Sequence, residues 1–348
     1  MRSPLAEALQ ILGSRVDGLT EDQSRAAVGS ILAGEEPESM IGAFLAALRV
    51  KGESVAELAG AVAAVRERSE GWSPDPSLPP TLDTCGTGGD GANTVNISTA
   101  TAIVVAACGV PVAKHGNRSA SGNSGSSEVL AELGVDVEAD PAIVRRCLAE
   151  LGLTFLFAPR FHPALRALAP VRRQLPFRTL FNLIGPLVNP ARPAYQLIGV
   201  PNLIQVDKMA RVLVRLGVVR AAVVTGSDGL DEVSLAGPTL LLWIEAGEVI
   251  DRTWTPDDFG LEPVRSGDLA VSGPSESAGR IRGFLAGEPG PVRDTILANA
   301  AAALLVAGKV ETLRDGVAIA AGAVDRGEAA GLLGRWATMS RQAVTSNP

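Results

Sequence analysis

Aromatic residues, histidines and excess positive charge are all scarce in this sequence. Only 4% of its 348 residues are Phe, Trp or Tyr, so alanine, glycine, valine and leucine fill the predicted core. The net charge of −7 argues against a general nucleic-acid binder, because that class needs a basic face. Any bound phosphate must therefore be held by local geometry and not by an overall positive field.

Long apolar runs and an export signal are also missing. The longest apolar run, from Ala102 to Ala113, is interrupted by a glycine and a proline. It is far shorter than the roughly 20 residues of a membrane span. Neither a CxxC pair nor a zinc pattern is formed by Cys85, Cys108 and Cys147. We therefore expect reduced thiols and a cytoplasmic protein without a membrane partner.

The chain length suits two domains of about 150 residues each, and the patterns along it change once. Residues 1–70 read as helices, with capping boxes at Thr20 with Gln23 and at Ser54 with Glu57. Four prolines and one glycine between residues 71 and 80 predict a linker.

Beyond the linker, short apolar strands alternate with helices, which predicts a mostly parallel central sheet covered by helices. Residues 240–250 read as a hairpin, and the chain from Pro274 onward reads as mainly helical. The predicted parallel strands are Thr81–Cys85, Pro111–Lys114, Thr154–Ala158, Tyr195–Val200 and Val218–Thr225.

A glycine-rich turn between the first strand and the next helix predicts an anion site. Gly86, Gly88, Gly89 and Gly91 lie in this turn, and a helical run begins near Ser98. Glycine permits positive φ, and the unpaired N–H groups at a helix start favour negative charge. The spacing fits neither a dinucleotide fingerprint nor a Walker loop. Taken alone, the turn is equally consistent with a purely structural role.

Two further polar segments follow later strands. The serine- and glycine-rich segment from Lys114 to Ser126 offers an ammonium group and hydroxyls to phosphate oxygens. Asp231 and Glu232 lie in the segment Asp228–Ser234, and adjacent carboxylates suit Mg²⁺ shared with substrate phosphates. The alternatives are a solvated loop for the first segment and an exposed acidic turn for the second.

Four arginines precede the segment Phe181–Pro190, namely Arg166, Arg172, Arg173 and Arg178. Such arginines usually lie on a solvated helix face, but one of them is a candidate to pair bidentately with a carboxylate. Together the polar segments indicate a phosphate-rich substrate that requires magnesium, and they favour a carboxylate co-substrate.

Several of these segments, in the same order, resemble the anthranilate phosphoribosyltransferase family, and the resemblance covers nearly the whole chain. It implies transfer of phosphoribose from phosphoribosyl pyrophosphate (PRPP) to the amine of anthranilate in tryptophan biosynthesis, with Mg²⁺ as the cofactor. The similar segments are Cys85–Gly91, Asn96–Ala100, Lys114–Arg118, Arg160–Pro163, Arg178–Pro190, Asp228–Ser234, Pro256–Leu261, Arg293–Asp294 and Asn299–Ala302.

The resemblance also implies a fold and an assembly. We expect a small helical domain, made of residues 1–72 with 165–190. It joins a larger α/β domain with a mostly parallel sheet, made of residues 81–164 and 191–348. This is a nucleoside phosphorylase/phosphoribosyltransferase-like architecture, usually found as a homodimer that binds neither nucleic acid nor membrane.

Individual roles follow from the same resemblance. The implied magnesium ligands are Ser98, Asp231 and Glu232. The implied anthranilate contacts are Gly86, His115, Asn117, Arg172 and Pro186, and His115 is also a candidate proton acceptor. The implied PRPP contacts are Gly86, Gly89, Asp90, Thr94, Asn96, Ile97, Ser98, Thr99, Lys114, His115, Gly116, Asn117, Arg118, Ser119, Ala120, Ser121, Gly122 and Ser126.

Three places depart from the family pattern, and one of them is Ser127–Glu128, which replaces the common Ala-Asp. Asn123 replaces a common lysine in the serine- and glycine-rich loop, which removes one phosphate contact. Ser266–Pro274 also departs, and we expect it to be a surface loop away from the chemistry. Two other functions remain open. One is a pyrimidine nucleoside phosphorylase, which uses inorganic phosphate. The other is a nucleic-acid-binding relative that has lost transferase chemistry.

Overall fold

The N-terminal part of the chain is helical. The computed structural model describes residues 2–14, 18–72, 78–118 and 125–343, so part of the predicted linker lies outside the described residues. Both predicted capping boxes are confirmed, with Thr20 and Ser54 as the capping residues. The helices of this part are α1 (Pro4–Ser14), α2 (Glu21–Leu32), α3 (Glu38–Lys51) and α4 (Val55–Glu67).

A mostly parallel sheet follows, as predicted. Within the described residues its strands lie in the order β3-β2-β1-β4-β5-β6-β7. The first five strands pair in parallel, and the last two form an antiparallel hairpin along β5. The strands are β1 (Leu82–Gly86), β2 (Val112–Gly116), β3 (Leu153–Phe157), β4 (Tyr195–Gly199), β5 (Arg220–Gly226), β6 (Thr239–Glu245) and β7 (Glu248–Trp254).

The strand order reverses direction beside β1. The chain moves outward from β1 through β2 to β3 and then returns to place β4 on the other side of β1. In open parallel sheets, ligands bind at the carboxyl ends of the strands next to such a reversal. Gly86 and Gly199 pair at those ends of β1 and β4. The topology therefore predicts a site beside these two glycines.

Further helices cover both faces of the sheet, and no helix in the described part of the chain is long and apolar enough to cross a membrane. The α-helices are α5 (Ile97–Ala107), α6 (Ser126–Glu132), α7 (Pro141–Leu151), α8 (Ala158–Phe161), α9 (Ala169–Gln174), α10 (Leu180–Leu183), α11 (Leu203–Arg215), α12 (Pro256–Phe259), α13 (Pro274–Leu285), α14 (Pro291–Val306), α15 (Leu313–Asp325) and α16 (Glu328–Ser340). Short 3₁₀ helices lie at Pro163–Leu168, Gly185–Leu187 and Ser266–Leu269.

The two faces of the sheet belong to different hydrophobic cores. Alternate residues of each strand point to opposite faces, so Leu197 packs in one core and its neighbour Ile198 in the other. The first core includes α5, α7 and α14 to α16. The second includes α1 to α4, α11 and apolar residues between 168 and 188. The segment near 165–190 thus packs with the N-terminal helices, although the predicted domain boundaries themselves stay a prediction.

Ser266–Pro274, predicted to be a surface loop away from the chemistry, pairs with backbone that leads into α5. The Val95 N–H donates to the Leu269 carbonyl and the Val271 N–H donates to the Asn93 carbonyl, both at 2.8 Å. An antiparallel bridge joins Thr94 to Ala270 between these two bonds. The segment therefore supports the backbone that connects the glycine-rich turn to α5. Pairing between such distant parts of the chain leaves no local pattern that sequence reasoning can detect.

Candidate active site

An open cavity of about 1070 Å³ lies at the carboxyl ends of the parallel strands. It is lined by the turn after β1, the end of β2, the region from 158 to 188, and Asp231 with Glu232. Every predicted site residue in the described part of the chain lines it, except Thr99, which is fully buried. Ser119, Ala120, Ser121 and Gly122 lie outside the described residues, as does Asn123.

The glycine-rich turn is held in place from several sides. The Thr87 N–H donates to the Gly199 carbonyl at 3.0 Å, and the Gly88 N–H donates to Asp231 Oδ2 at 2.8 Å. Gly88 and Gly89 have φ values of +64° and +87°, and residues other than glycine rarely adopt this backbone region. A Cβ on Gly86 would lie 2.6 Å from Asp231 Oδ2. The turn therefore needs glycine both for its backbone angles and for its close contact with Asp231.

Helix α5 begins at Ile97, next to the predicted start near Ser98. Its N-cap is Asn96, whose side-chain oxygen accepts the Thr99 N–H at 3.2 Å, so Ser98 lies in the first turn and is not the cap. The Asn96 N–H donates in turn to Ser277 Oγ at 2.9 Å. The start of α5 is thereby fixed to α13, and the Ser98 hydroxyl is left to face the cavity.

Lys114 places a buried ammonium group between β1 and α5. Its side chain is only 2% exposed, and Nζ donates to the Thr84 carbonyl and to Ser98 Oγ, the latter at 3.1 Å. Its positive charge opposes the effect of burial on Asp83, although burial still raises the pKa of Asp83 to about 6. Asp83 also accepts hydrogen bonds from Asn189 Nδ2 at 2.8 Å and from the His115 N–H at 3.2 Å.

Asp231 and Glu232 form a half-buried acidic pair beside the glycine-rich turn. Burial raises the pKa of Asp231 well above its usual range, and the nearby Glu232 and Asp90 carboxyls raise it further. Burial also raises the pKa of Glu232 to about 7, against the opposing charge of Lys114. Burying ionised carboxylates side by side is unfavourable, so the site favours a proton or a cation there.

The raised pKa of Glu232 leads to a testable prediction. In the folded state it is about 7 against an ordinary value of 4.5, so between these values the folded protein binds more protons than the unfolded chain. Stability therefore falls as the pH rises through that window. Without Mg²⁺, Glu232→Gln should raise the free energy of unfolding by about 2 kcal/mol near pH 8 and very little near pH 4.5.

The comparison uses thermal unfolding of the two proteins at both pH values. The exposed Glu262 supplies a control, because Glu262→Gln removes the same charge from a solvated position. An equal gain from both variants would trace the effect to net charge and contradict the raised pKa of Glu232.

The acidic pair fits a magnesium ion shared with a substrate. No group of three or more Asp, Glu, His or Cys side chains that could hold a metal is present within the described residues, so the protein alone offers no closed cage. Mg²⁺ is commonly bound by one or two carboxylates together with substrate phosphates. The oxygens of Asp231, Glu232 and Ser98, all lining one cavity, are the hard ligands that this ion prefers.

His115 is buried and neutral. Its Nδ1 lies 3.2 Å from the Gly185 carbonyl, and its ring meets the His162 ring edge-on with centroids 5.3 Å apart. Burial, with a smaller contribution from His162, lowers the pKa of His115 to about 3. A base this weak accepts protons poorly near neutral pH, which favours an orienting role for His115.

Three arginines line the cavity from the segment between the 3₁₀ helix at 163–168 and α10, namely Arg172, Arg173 and Arg178. Arg172 is half-buried, which lowers its guanidinium pKa. Arg178, predicted only as one of four arginines that could pair with a carboxylate, donates from Nη1 to the Gly88 carbonyl at 2.6 Å and from Nη2 to the Thr87 carbonyl at 2.8 Å. Nothing in its local sequence distinguishes Arg178 from its solvated neighbours, so only the fold identifies it.

The fold and the site define a glycosyl transferase. Family models match both parts of the chain: residues 6–69 match the helical bundle domain of the glycosyl transferase family, and residues 78–330 match its a/b domain. The named relatives are more specific. Anthranilate phosphoribosyltransferase 2 of Streptomyces coelicolor is 50% identical over 93% of this chain and 96% of its own. The enzyme of Symbiobacterium thermophilum is 47% identical over 91% and 92%. The chain belongs to the anthranilate phosphoribosyltransferase family.

Solved structures agree with this assignment. The anthranilate phosphoribosyltransferase of Thermus thermophilus superposes with a TM-score of 0.89 at 38% identity, covering 98% of this chain and 100% of its own. The Saccharomyces cerevisiae enzyme in complex with PRPP and Mg superposes with a TM-score of 0.89 at 27% identity, covering 98% of both chains. The same yeast enzyme in complex with 4-fluoroanthranilate gives a TM-score of 0.86 at 27% identity over 97% of both chains.

Proposed function

We propose that this protein transfers the phosphoribosyl group of PRPP to the amine of anthranilate in a magnesium-dependent reaction. One observation carries the proposal: the glycine-rich turn, Lys114, the acidic pair and Arg172 all line a single cavity. The turn and Lys114 suit a phosphate-rich substrate, the acidic pair suits a cation, and Arg172 suits a carboxylate. The yeast relative solved with PRPP and Mg, and again with 4-fluoroanthranilate, supports the same pair of substrates.

The PRPP phosphates are proposed to lie along the turn after β1, the start of α5 and the end of β2. The N–H groups of α5 and the Lys114 ammonium give that surface its attraction for anions. In the reaction the bond from ribose C1 to the pyrophosphate oxygen breaks, and the pyrophosphate leaves with the electron pair. When bound, Mg²⁺ would supply positive charge beside this negatively charged leaving group. Asp231, Glu232 and Ser98 are the residues that would hold the ion.

The anthranilate carboxylate is proposed to pair with Arg172, with Asn117 and the Gly86 backbone beside it. The amine lone pair then forms the new bond to C1, and the nitrogen loses one proton to solvent. A neutral amine needs no strong base before attack, which agrees with the low pKa of His115. Holding the amine in line with C1 supplies much of the rate by proximity, so Arg172 acts mainly through position.

A fluorescence assay tests the proposal. Mixing the protein with PRPP, Mg²⁺ and anthranilate should consume the anthranilate fluorescence and release pyrophosphate, and omitting PRPP or adding a magnesium chelator should stop both signals. Folded protein that consumes no anthranilate would sink the proposal. In parallel reactions, phosphorolysis of thymidine would indicate a nucleoside phosphorylase, and tight binding of single-stranded DNA would indicate the nucleic-acid-binding alternative.

A further inference from the structure

Arg178 joins two parts of the cavity that lie far apart in the sequence. Its neighbours Val171 and Leu180 are buried with the N-terminal helices in the second core. Its guanidinium instead reaches the turn after β1, where it donates to the two successive carbonyls of Thr87 and Gly88. A planar guanidinium with two donors fixes the orientation of a peptide far better than a single donor does.

The contact continues from Arg178 to the acidic pair. Gly88 makes both contacts: its carbonyl accepts from Arg178, and its N–H donates to Asp231 Oδ2 at 2.8 Å. The charge of Asp231 also favours the charged form of Arg178, although burial lowers the pKa of that guanidinium overall. A Cβ on Gly89 would overlap Nη1 of Arg178, so the turn is shaped to admit this side chain.

The segment that carries Arg178 also carries Arg172, the residue proposed to pair with the anthranilate carboxylate. Arg172 lies in the last turn of α9, and only a short connection separates it from Arg178. Movement of the turn that would bind PRPP must therefore displace either the Arg178 contact or the segment that carries Arg172. The backbone between the two arginines links the donor and acceptor sides of the cavity mechanically.

We propose that Arg178 is a positioning residue that couples PRPP binding to anthranilate binding. It acts by fixing the Thr87–Gly88 peptides to the segment that carries Arg172, without itself taking part in bond making. The inference rests on the proposed transferase function. It predicts that each substrate tightens the binding of the other, since ordering one side of the cavity orders the opposite side through Arg178.

Initial rates over a grid of both substrates measure this coupling. In the unmodified protein the KM for anthranilate should fall about fivefold or more as PRPP goes from scarce to saturating. In Arg178→Ala that ratio should approach one, and the KM for PRPP should rise about tenfold while kcat changes much less. Arg178→Lys should restore part of the ratio, because a lysine keeps the charge and one donor.

The control is Arg166→Ala, which removes an exposed arginine that donates only to the Pro159 carbonyl within the described residues. It should leave the coupling ratio unchanged, and thermal unfolding should show all variants folded. An unmodified protein that is active but shows no coupling, or an Arg178→Ala variant that keeps full coupling, overturns the inference. An unmodified protein without any transfer activity instead overturns the proposed function, so the two failures are distinguishable.

Discussion

Replacing Lys114 with methionine is expected to lower kcat/KM for PRPP by about a thousandfold. Methionine fills nearly the same space, so the cavity keeps its shape but loses its buried ammonium group. That ammonium donates to Ser98 Oγ and to the Thr84 carbonyl, which places it between the end of β1 and the first turn of α5. The proposed phosphate surface would then face Asp83, Asp231 and Glu232 without this opposing charge. The measurement is the initial rate of anthranilate consumption at varied PRPP.

The same substitution has a pH-dependent effect on stability. Asp83 and Glu232 have pKa values raised by burial to about 6 and about 7, and the charge of Lys114 opposes both shifts. Without Lys114 both values rise further, so stability falls more steeply as the pH increases. Lys114→Met should lower the free energy of unfolding by about 3 kcal/mol near pH 8. The decrease should become small near pH 5, where both carboxyls are protonated.

Lys51→Met is the matched control for this prediction. Lys51 Nζ pairs with the buried Glu57 carboxylate at 2.9 Å, within the N-terminal helices and outside the residues that line the cavity. The Lys51→Met variant should lose stability while keeping the KM for PRPP of the unmodified protein. If Lys114→Met binds PRPP as tightly as the unmodified protein by calorimetry, the phosphate role of Lys114 is wrong.

Replacing Asp231 with asparagine is expected to lower kcat by about a hundredfold and to raise the Mg²⁺ concentration needed for half-maximal rate. Asparagine still accepts the Gly88 N–H, so the turn after β1 keeps its hydrogen bond. What it loses is the negative charge that, beside Glu232, favours a cation. Magnesium titrations of the rate at saturating PRPP measure both effects.

Asp228→Asn is the control in the same loop. Asp228 accepts hydrogen bonds from the hydroxyls of Ser234 and Ser266, and it does not line the cavity. Removing its charge should leave the half-maximal Mg²⁺ concentration unchanged. If Asp231→Asn and Glu232→Gln both keep the magnesium dependence of the unmodified protein, the metal assignment fails.

Much of the site was predictable because its parts are local in sequence. Each strand of a parallel sheet ends at the same edge, so polar residues just after β1 and β2 are brought together by the fold class alone. Gly86 and Asp231 were found in this way after predicted strands, and Lys114 was found at the end of one. The family resemblance then assigned their roles, and the structure places all three in one cavity.

The remaining parts depend on contacts between distant segments. Arg178 reads as one of four similar arginines until the fold brings it against the Thr87 and Gly88 carbonyls. The pairing of Ser266–Pro274 with residues 93–95 has no counterpart in hydrophobic periodicity, because a single backbone bridge leaves no repeating pattern. The N-cap of α5 could not be identified from the sequence because Asn96 and Ser98 are both good capping residues, and only backbone geometry chooses between them.

The separation of the two cores determines what tryptophan emission can report. All four tryptophans, Trp72, Trp243, Trp254 and Trp336, belong to the core that contains α5 and α14 to α16. The core formed with the N-terminal helices has none among its buried, described residues. Tryptophan emission will therefore follow only one half of the molecule during denaturation. Helical circular dichroism follows both halves, so a difference between the two midpoints would measure how independently the N-terminal helices unfold.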